Sequence, residues 1–167
     1  MRIALFCPSY GQVGGIETKA DVLIDAFRSA GHEVVVLARG EASTVAGDVP
    51  VVRRPYHQLP RRGRHVARQL RFATRFPAAI RALRHAALEA RADVVLALAI
   101  SSYAPYATGL ARTLPLVLSL EGGGPGFARN PRAMRAALRR ARRVVAVATP
   151  LARAAATSCP TWRRASP

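Results

Sequence analysis

Apolar runs and amphipathic stretches alternate along this chain. Residues 3–7 (IALFC) form a short, continuous apolar run, the mark of a strand buried on both faces. A glycine-rich loop, PSYGQVGG, fills residues 8–15. Residues 16–30 then take helical spacing, with Ile16, Ala20, Leu23, Ile24 and Phe27 on one face. Gly31 is a natural helix stop. A second buried strand is predicted over 34–38 (VVVLA) and a third over 49–52, closed by Pro55. Residues 61–91 read as helix, with Pro77 expected to break or kink it. The spacing then predicts a strand over 93–100, a helix over 103–112 and a strand over 115–120. A second glycine-rich turn, EGGGPG, spans 121–126. It is followed by a helix over 131–142, a strand over 144–148 and a helix over 150–157.

Strands that alternate with helices and are themselves apolar throughout imply a parallel sheet covered on both faces. The expected fold class is α/β, a single Rossmann-like doubly wound sheet. Ligands bind such sheets beyond the carboxyl ends of the strands, near the point where strand order reverses. Both glycine-rich loops follow strands and belong on that edge.

Length and composition fit one domain. The chain has 167 residues, 50% of them hydrophobic, enough to bury a core and too apolar for intrinsic disorder. Two cysteines, Cys7 and Cys159, cannot build a disulfide framework, and a reducing, cytoplasmic setting is expected. The first apolar run is too short for a signal-peptide core, and no apolar stretch approaches the ~20 residues needed to cross a bilayer.

Charge changes the picture more. The net charge is +17, and Lys19 is the one lysine among 26 basic side chains. The excess is concentrated in residues 53–92 and 122–167, each carrying ten net positive charges. A polyanion, a phosphate group or an acidic membrane surface is a plausible partner for such a field. Nucleic acid ranks last among these, because no nucleic-acid motif is present and few aromatics interleave with the arginines for base stacking. Within 61–92, Val66, Leu70, Ala73 and Phe76 make one apolar stripe, and Ile80, Leu83, Ala87 and Leu88 another. Such a helix either turns one stripe to the core with a solvated arginine face, or lies on an anionic membrane. The four histidines are scattered and give no metal-ligand set.

The first loop holds Gly11, Gly14 and Gly15 in a G-x-x-G-G spacing. That is neither the G-x-G-x-x-G of dinucleotide folds nor a P-loop. Two readings stay open for it: glycines needed for turn geometry alone, or backbone N–H groups brought close to a ligand at a helix N-terminus.

The order of these features resembles the N-terminal domain of a family 4 glycosyltransferase of the GT-B type. Such domains open with an apolar strand, a proline-containing loop, G-G-x-E, a long helix and G-H-E-V-x-V. This chain has Gly14-Gly15-Ile16-Glu17 and Gly31-His32-Glu33-Val34, then Asp93-Val94-Val95, the run from Leu114 to Leu120, and Arg143-Val144-Val145-Ala146-Val147. The resemblance covers residues 1 to about 158, with 159–167 an irregular tail.

It implies a retaining enzyme that transfers a sugar from a nucleotide-sugar donor to a sugar or lipid acceptor, with no metal or other cofactor. Gly14, Gly15 and Glu17 match the positions by the donor phosphates and transferred sugar. Glu121 stands where many members have a histidine beside the reacting sugar, and is the candidate catalytic residue. His32 also matches a family position, where it is expected to serve as a turn residue. Arg53, Arg54, Arg61, Arg62 and Arg64 are candidates for an anionic acceptor or lipid surface, with Tyr56 and His57 nearby. The family's donor-binding second domain, with its E-x7-E pair, has no counterpart before Pro167. The resemblance therefore implies an acceptor-side domain, incomplete alone, that needs a separate donor domain. The alternative is a non-catalytic module that binds an anionic membrane face or a partner subunit.

Overall fold

The computed structural model describes residues 1–41, 44–60, 66–98, 102–120, 130–146 and 149–158. The elements in chain order are β1 (Arg2–Phe6), α1 (Gly15–Ser29), β2 (Glu33–Arg39), β3 (Thr44–Ala46), β4 (Val49–Arg54) and α2 (Val66–Glu89). They continue as β5 (Val94–Ala97), α3 (Ala104–Leu110), β6 (Leu116–Leu120), α4 (Pro131–Arg140), β7 (Arg143–Ala146) and α5 (Thr149–Ser158).

All seven strands form one sheet in the order β3-β4-β2-β1-β5-β6-β7. Six of them run parallel, and β3 pairs antiparallel with β4 at the edge. The pattern of six apolar strands anticipates the parallel sheet, whereas the edge strand and the strict strand–helix alternation need correction. No helix connects β2 to β4; a short hairpin does, turning at Gly47 (φ 63°) and Asp48. That Gly-Asp pair is its local signal.

The order reverses at β1, which pairs with β2 on one side and with β5 on the other. One face of the sheet packs Ile3, Leu5, Val34, Val36 and Leu96 under Ala20 and Ile24 of α1. The other packs Ala4, Phe6, Val35, Val95 and Leu118 under α2, α3 and α4. Helix α2 runs on through Pro77, which corrects the expected break. Pro77 and Ala73, whose carbonyl loses its usual N–H partner, are both exposed, so water can reach that carbonyl. The two stripes of α2 also part company. Ile80, Leu83 and Ala87 are buried, while Val66 and Leu70 face solvent and Phe72 and Phe76 are half-buried.

Helix α1 ends as its sequence dictates. Gly31 (φ 79°) sends its N–H to the Arg28 carbonyl, and His32 sends its N–H to the Phe27 carbonyl. The Phe27 and His32 rings meet at 6.4 Å. This double bond with its hydrophobic contact is a Schellman motif, and it makes His32 a turn residue, as expected.

Candidate functional site

The carboxyl edge of the sheet carries the chemistry. Beyond β1 the chain passes Cys7 and Pro8 and turns through Gly11, whose φ of 89° suits glycine. The loop is laced to its neighbours: the Cys7 N–H reaches the Leu37 carbonyl, and the Arg39 N–H reaches the Pro8 carbonyl, both at 3.1 Å. Arg53, near the end of β4, passes under the loop. Its Nη1 donates to the Tyr10 carbonyl at 3.0 Å and to the Arg39 carbonyl at 3.2 Å. A Cβ on Gly11 would lie 2.8 Å from Arg53 Nη2. Arg53 is thus a brace for the loop.

Gly14 stands at the start of α1 with an extended backbone, and no side chain among the described residues caps the helix. The first N–H groups of a helix have no intrahelical acceptor, so this uncapped end offers donors to whatever approaches it. Around Gly15 a Cβ would meet nothing within 4 Å, so the approach is open. Glu17, in the first turn, folds back so that its Oε2 lies 2.5 Å from where a Gly14 Cβ would be. Asp21 accepts a hydrogen bond from the Tyr10 hydroxyl at 2.9 Å. Burial first, and then the Asp21 carboxylate, pushes the Tyr10 phenol up to about 12. Beneath the loop Cys7 is fully buried, and burial followed by the charge of Glu17 pushes its thiol up to about 12. It is an inert thiol. The loop therefore pairs open backbone donors with carboxylates, a combination suited to the hydroxyls of a sugar.

Lys19, half-buried on α1, reaches towards β6, and its Nζ lies 3.4 Å from Ser119 Oγ. That contact joins α1 to the carboxyl end of β6. It escapes sequence analysis because nothing local links two residues a hundred positions apart.

The predicted site residues divide. Gly14, Gly15 and Glu17 come together at the α1 start. Arg53 and Arg54 do not act as a pair, since strand alternation points them to opposite faces. Arg54 lines a groove with Val35, Val52, Ala86 and Glu89 on the α2 side. Glu121, Arg61, Arg62 and Arg64 lie outside the described residues, as do the EGGGPG turn and the 159–167 tail.

Beside the loop, residues 55–60 cross the sheet edge towards α3, where the Leu59 N–H reaches the Ser102 carbonyl at 2.8 Å. Tyr56 is buried against Phe6, Tyr103 and Tyr106, and its hydroxyl has no hydrogen-bond partner among the described residues. The His57 N–H reaches the Tyr106 hydroxyl at 3.3 Å, and Arg75 Nη1 lies 3.0 Å from His57 Nε2. Among the described residues no group of three or more His, Cys, Asp or Glu side chains is placed to hold a metal.

The sequence profile of Glycosyltransferase Family 4 matches residues 13–163. The fold is similar to that of MurG from Acinetobacter baumannii, with a TM-score of 0.58 and 15% identity over 88% of this chain and 41% of that one. It is also similar to an α-glucosyltransferase solved with UDP and a 13-mer DNA containing a HMU base. There the TM-score is 0.54 and the identity 13%, over 87% of this chain and 37% of that one. The chain thus spans about two fifths of the length of these solved structures. No curated protein sequence matches it.

Proposed function

The chain belongs to glycosyltransferase family 4, and on that premise we propose that it forms the acceptor-side half of a sugar-transfer cleft. In this reading the complete enzyme moves a sugar from a nucleotide-sugar donor to an acceptor with retention of anomeric configuration, and a separate donor-binding domain completes the cleft. The observation that carries the reading is the uncapped α1 N-terminus, open at Gly15 and flanked by Glu17 at the carboxyl edge of the sheet. The Gly14 and Gly15 amides donate to the donor sugar or its phosphate, and the Glu17 carboxylate accepts from a sugar hydroxyl. Because that carboxylate already sits on the helix end, the sugar belongs nearest to Glu17 and the phosphates farther out, where like charges do not meet. Glu121, two residues beyond Ser119, remains the candidate for a catalytic carboxylate in the completed cleft.

Substitution at Gly15 tests this. It is the first residue of the helix and its side is open, so Gly15→Ala leaves the fold intact and stabilises it by up to about 1 kcal/mol. Gly15→Val fills the approach. The expected result, titrating UDP- and GDP-linked sugars while following backbone amides by NMR, is weak binding that perturbs Gly14 and Gly15. It should fall about tenfold or more in Gly15→Val. If no nucleotide sugar perturbs these amides, or if Gly15→Val binds as well as the parent, the reading fails.

A second reading, peripheral attachment to an anionic membrane face, rests on α2. No helix among the described residues is long and apolar enough to cross a membrane. Val66 and Leu70, however, are 72% and 60% exposed on its first turns. Cosedimentation with anionic but not neutral vesicles is its test.

A further inference from the structure

Four stretches of chain meet beside the glycine loop, and each contributes a cation or a hydrogen-bonding group. Arg39 ends β2, and its Nη1 lies 3.4 Å from the Tyr103 hydroxyl, which stands just before α3. His57 follows β4, and Arg71 and Arg75 belong to the first half of α2. The charged groups that act on the His57 ring are Arg75, Arg71 and Arg39, with no carboxylate among them in the described residues. Burial first, then these three guanidiniums, holds the imidazole below its usual range. It stays neutral and accepts from Arg75 Nη1 at 3.0 Å.

The helical geometry of α2 explains the grouping. At 3.6 residues per turn, Phe72 and Phe76 face the sheet, while Arg68, Arg71 and Arg75 fall on one flank and Val66 and Leu70 on the other. The arginine flank is the one turned towards His57, since Arg75 touches it. Three guanidiniums gathered without a counter-charge among the described residues repel one another. That arrangement is favourable when an anion with several acceptor oxygens sits among them.

We propose that Arg39, Arg71 and Arg75, with His57 and the Tyr103 hydroxyl, bind a phosphate group carried by the acceptor. This rests on the reading of the chain as the acceptor side of the cleft and gives that acceptor a chemical class, a phosphate ester. The division of labour follows from charge. The glycine loop, guarded by Glu17 and Asp21, takes the donor with its sugar hydroxyls nearest Glu17, and the arginine cluster on the β2–β4 side takes the anion of the acceptor.

The test uses the full chain without donor. Glucose 6-phosphate is titrated against glucose, and phosphatidylglycerol vesicles against phosphatidylcholine vesicles, while the His57 ring protons are followed by NMR. Two double variants are compared: Arg71→Gln/Arg75→Gln in the cluster and Arg135→Gln/Arg139→Gln at exposed positions of helix α4. The expected result is that the phosphate ester, and not glucose, shifts the His57 resonances and raises the pH at which the ring titrates. Binding should weaken about tenfold or more in the cluster variant and less than about twofold in the α4 variant. If phosphatidylglycerol vesicles reproduce this variant pattern and glucose 6-phosphate does not bind, the phosphate site stands and its source is a lipid headgroup. Equal loss in both double variants means that binding follows net charge alone, which overturns the proposal, as does the absence of any phosphate-dependent His57 shift. Failure here leaves the nucleotide-sugar response of Gly14 and Gly15 untouched. Conversely, phosphate binding at His57 without that response sinks the transferase reading and leaves the anion site.

Discussion

At the scale of single residues, the carboxyl edge is built from side chains whose work is to hold backbone in place. Arg53 shows this most plainly. Its position in a basic segment suggests an anion contact, and its Nη1 also holds the carbonyls of Tyr10 and Arg39. Tyr56 shows the opposite imbalance: its ring is 2% exposed and its hydroxyl lacks a partner among the described residues. A buried, unpaired hydroxyl costs stability, and burial raises its pKa well above the usual tyrosine range. Tyr56→Phe removes the hydroxyl and keeps the contacts with Phe6, Tyr103 and Tyr106. It should stabilise the fold by about 1 kcal/mol in chemical denaturation. A loss of stability would mean that the hydroxyl is satisfied in solution.

At the scale of elements, the helix ends are where local sequence and geometry agree or conflict. Helices α1 and α2 end in the same way. The Gly31 pattern recurs at α2, where the Arg91 N–H reaches the Leu88 carbonyl and the Ala92 N–H reaches the Ala87 carbonyl. Here the left-handed position holds an arginine at φ 51°, a conformation that costs an L-residue about 1–2 kcal/mol. Arg91→Gly should therefore raise the midpoint of thermal unfolding and stabilise the fold by about 0.5–1 kcal/mol. An unchanged or lower midpoint would show that the arginine side chain offsets the strain. Helix α2 also shows why an apolar stripe alone does not fix burial. Ile80, Leu83 and Ala87 lie over the sheet, whereas Val66 and Leu70 are exposed. In the first half Phe72 and Phe76 take the face turned to the core, which leaves Val66 and Leu70 on the flank beside it.

At the scale of the molecule, charge is the dominant feature. Ion pairs such as Arg2–Glu33 (2.5 Å) and Arg28–Asp48 are already counted in the net charge of +17, which remains uncompensated. Self-repulsion opposes compactness and is screened when the Debye length falls to about 10 Å or less. The unfolding midpoint should rise between about 20 mM and about 300 mM sodium chloride, with a larger rise for multivalent phosphate at equal ionic strength if the arginine cluster takes it up. A midpoint that falls with salt would show that attractive pairs outweigh the repulsion.

The sequence by itself determined the six parallel strands, their order along the chain and the end of α1 at Gly31. Each is a local matter of period 2, period 3.6 or a single φ angle, and local signals survive in one dimension. It also determined the family, because Gly14-Gly15-Ile16-Glu17 and Gly31-His32-Glu33-Val34 lie within one short stretch. The edge hairpin was legible only in the Gly47-Asp48 pair, too brief a signal to carry a strand. The tertiary structure alone decided that Arg53 braces the loop while Arg54 turns to the other face, and that Lys19 meets Ser119. It alone gathered Arg39, His57, Arg75 and Tyr103, drawn from four parts of the chain. Parallel strands bring their carboxyl ends to one edge whatever their separation in sequence. The residues meeting there share no local pattern, and only the order of strands in the sheet makes them neighbours.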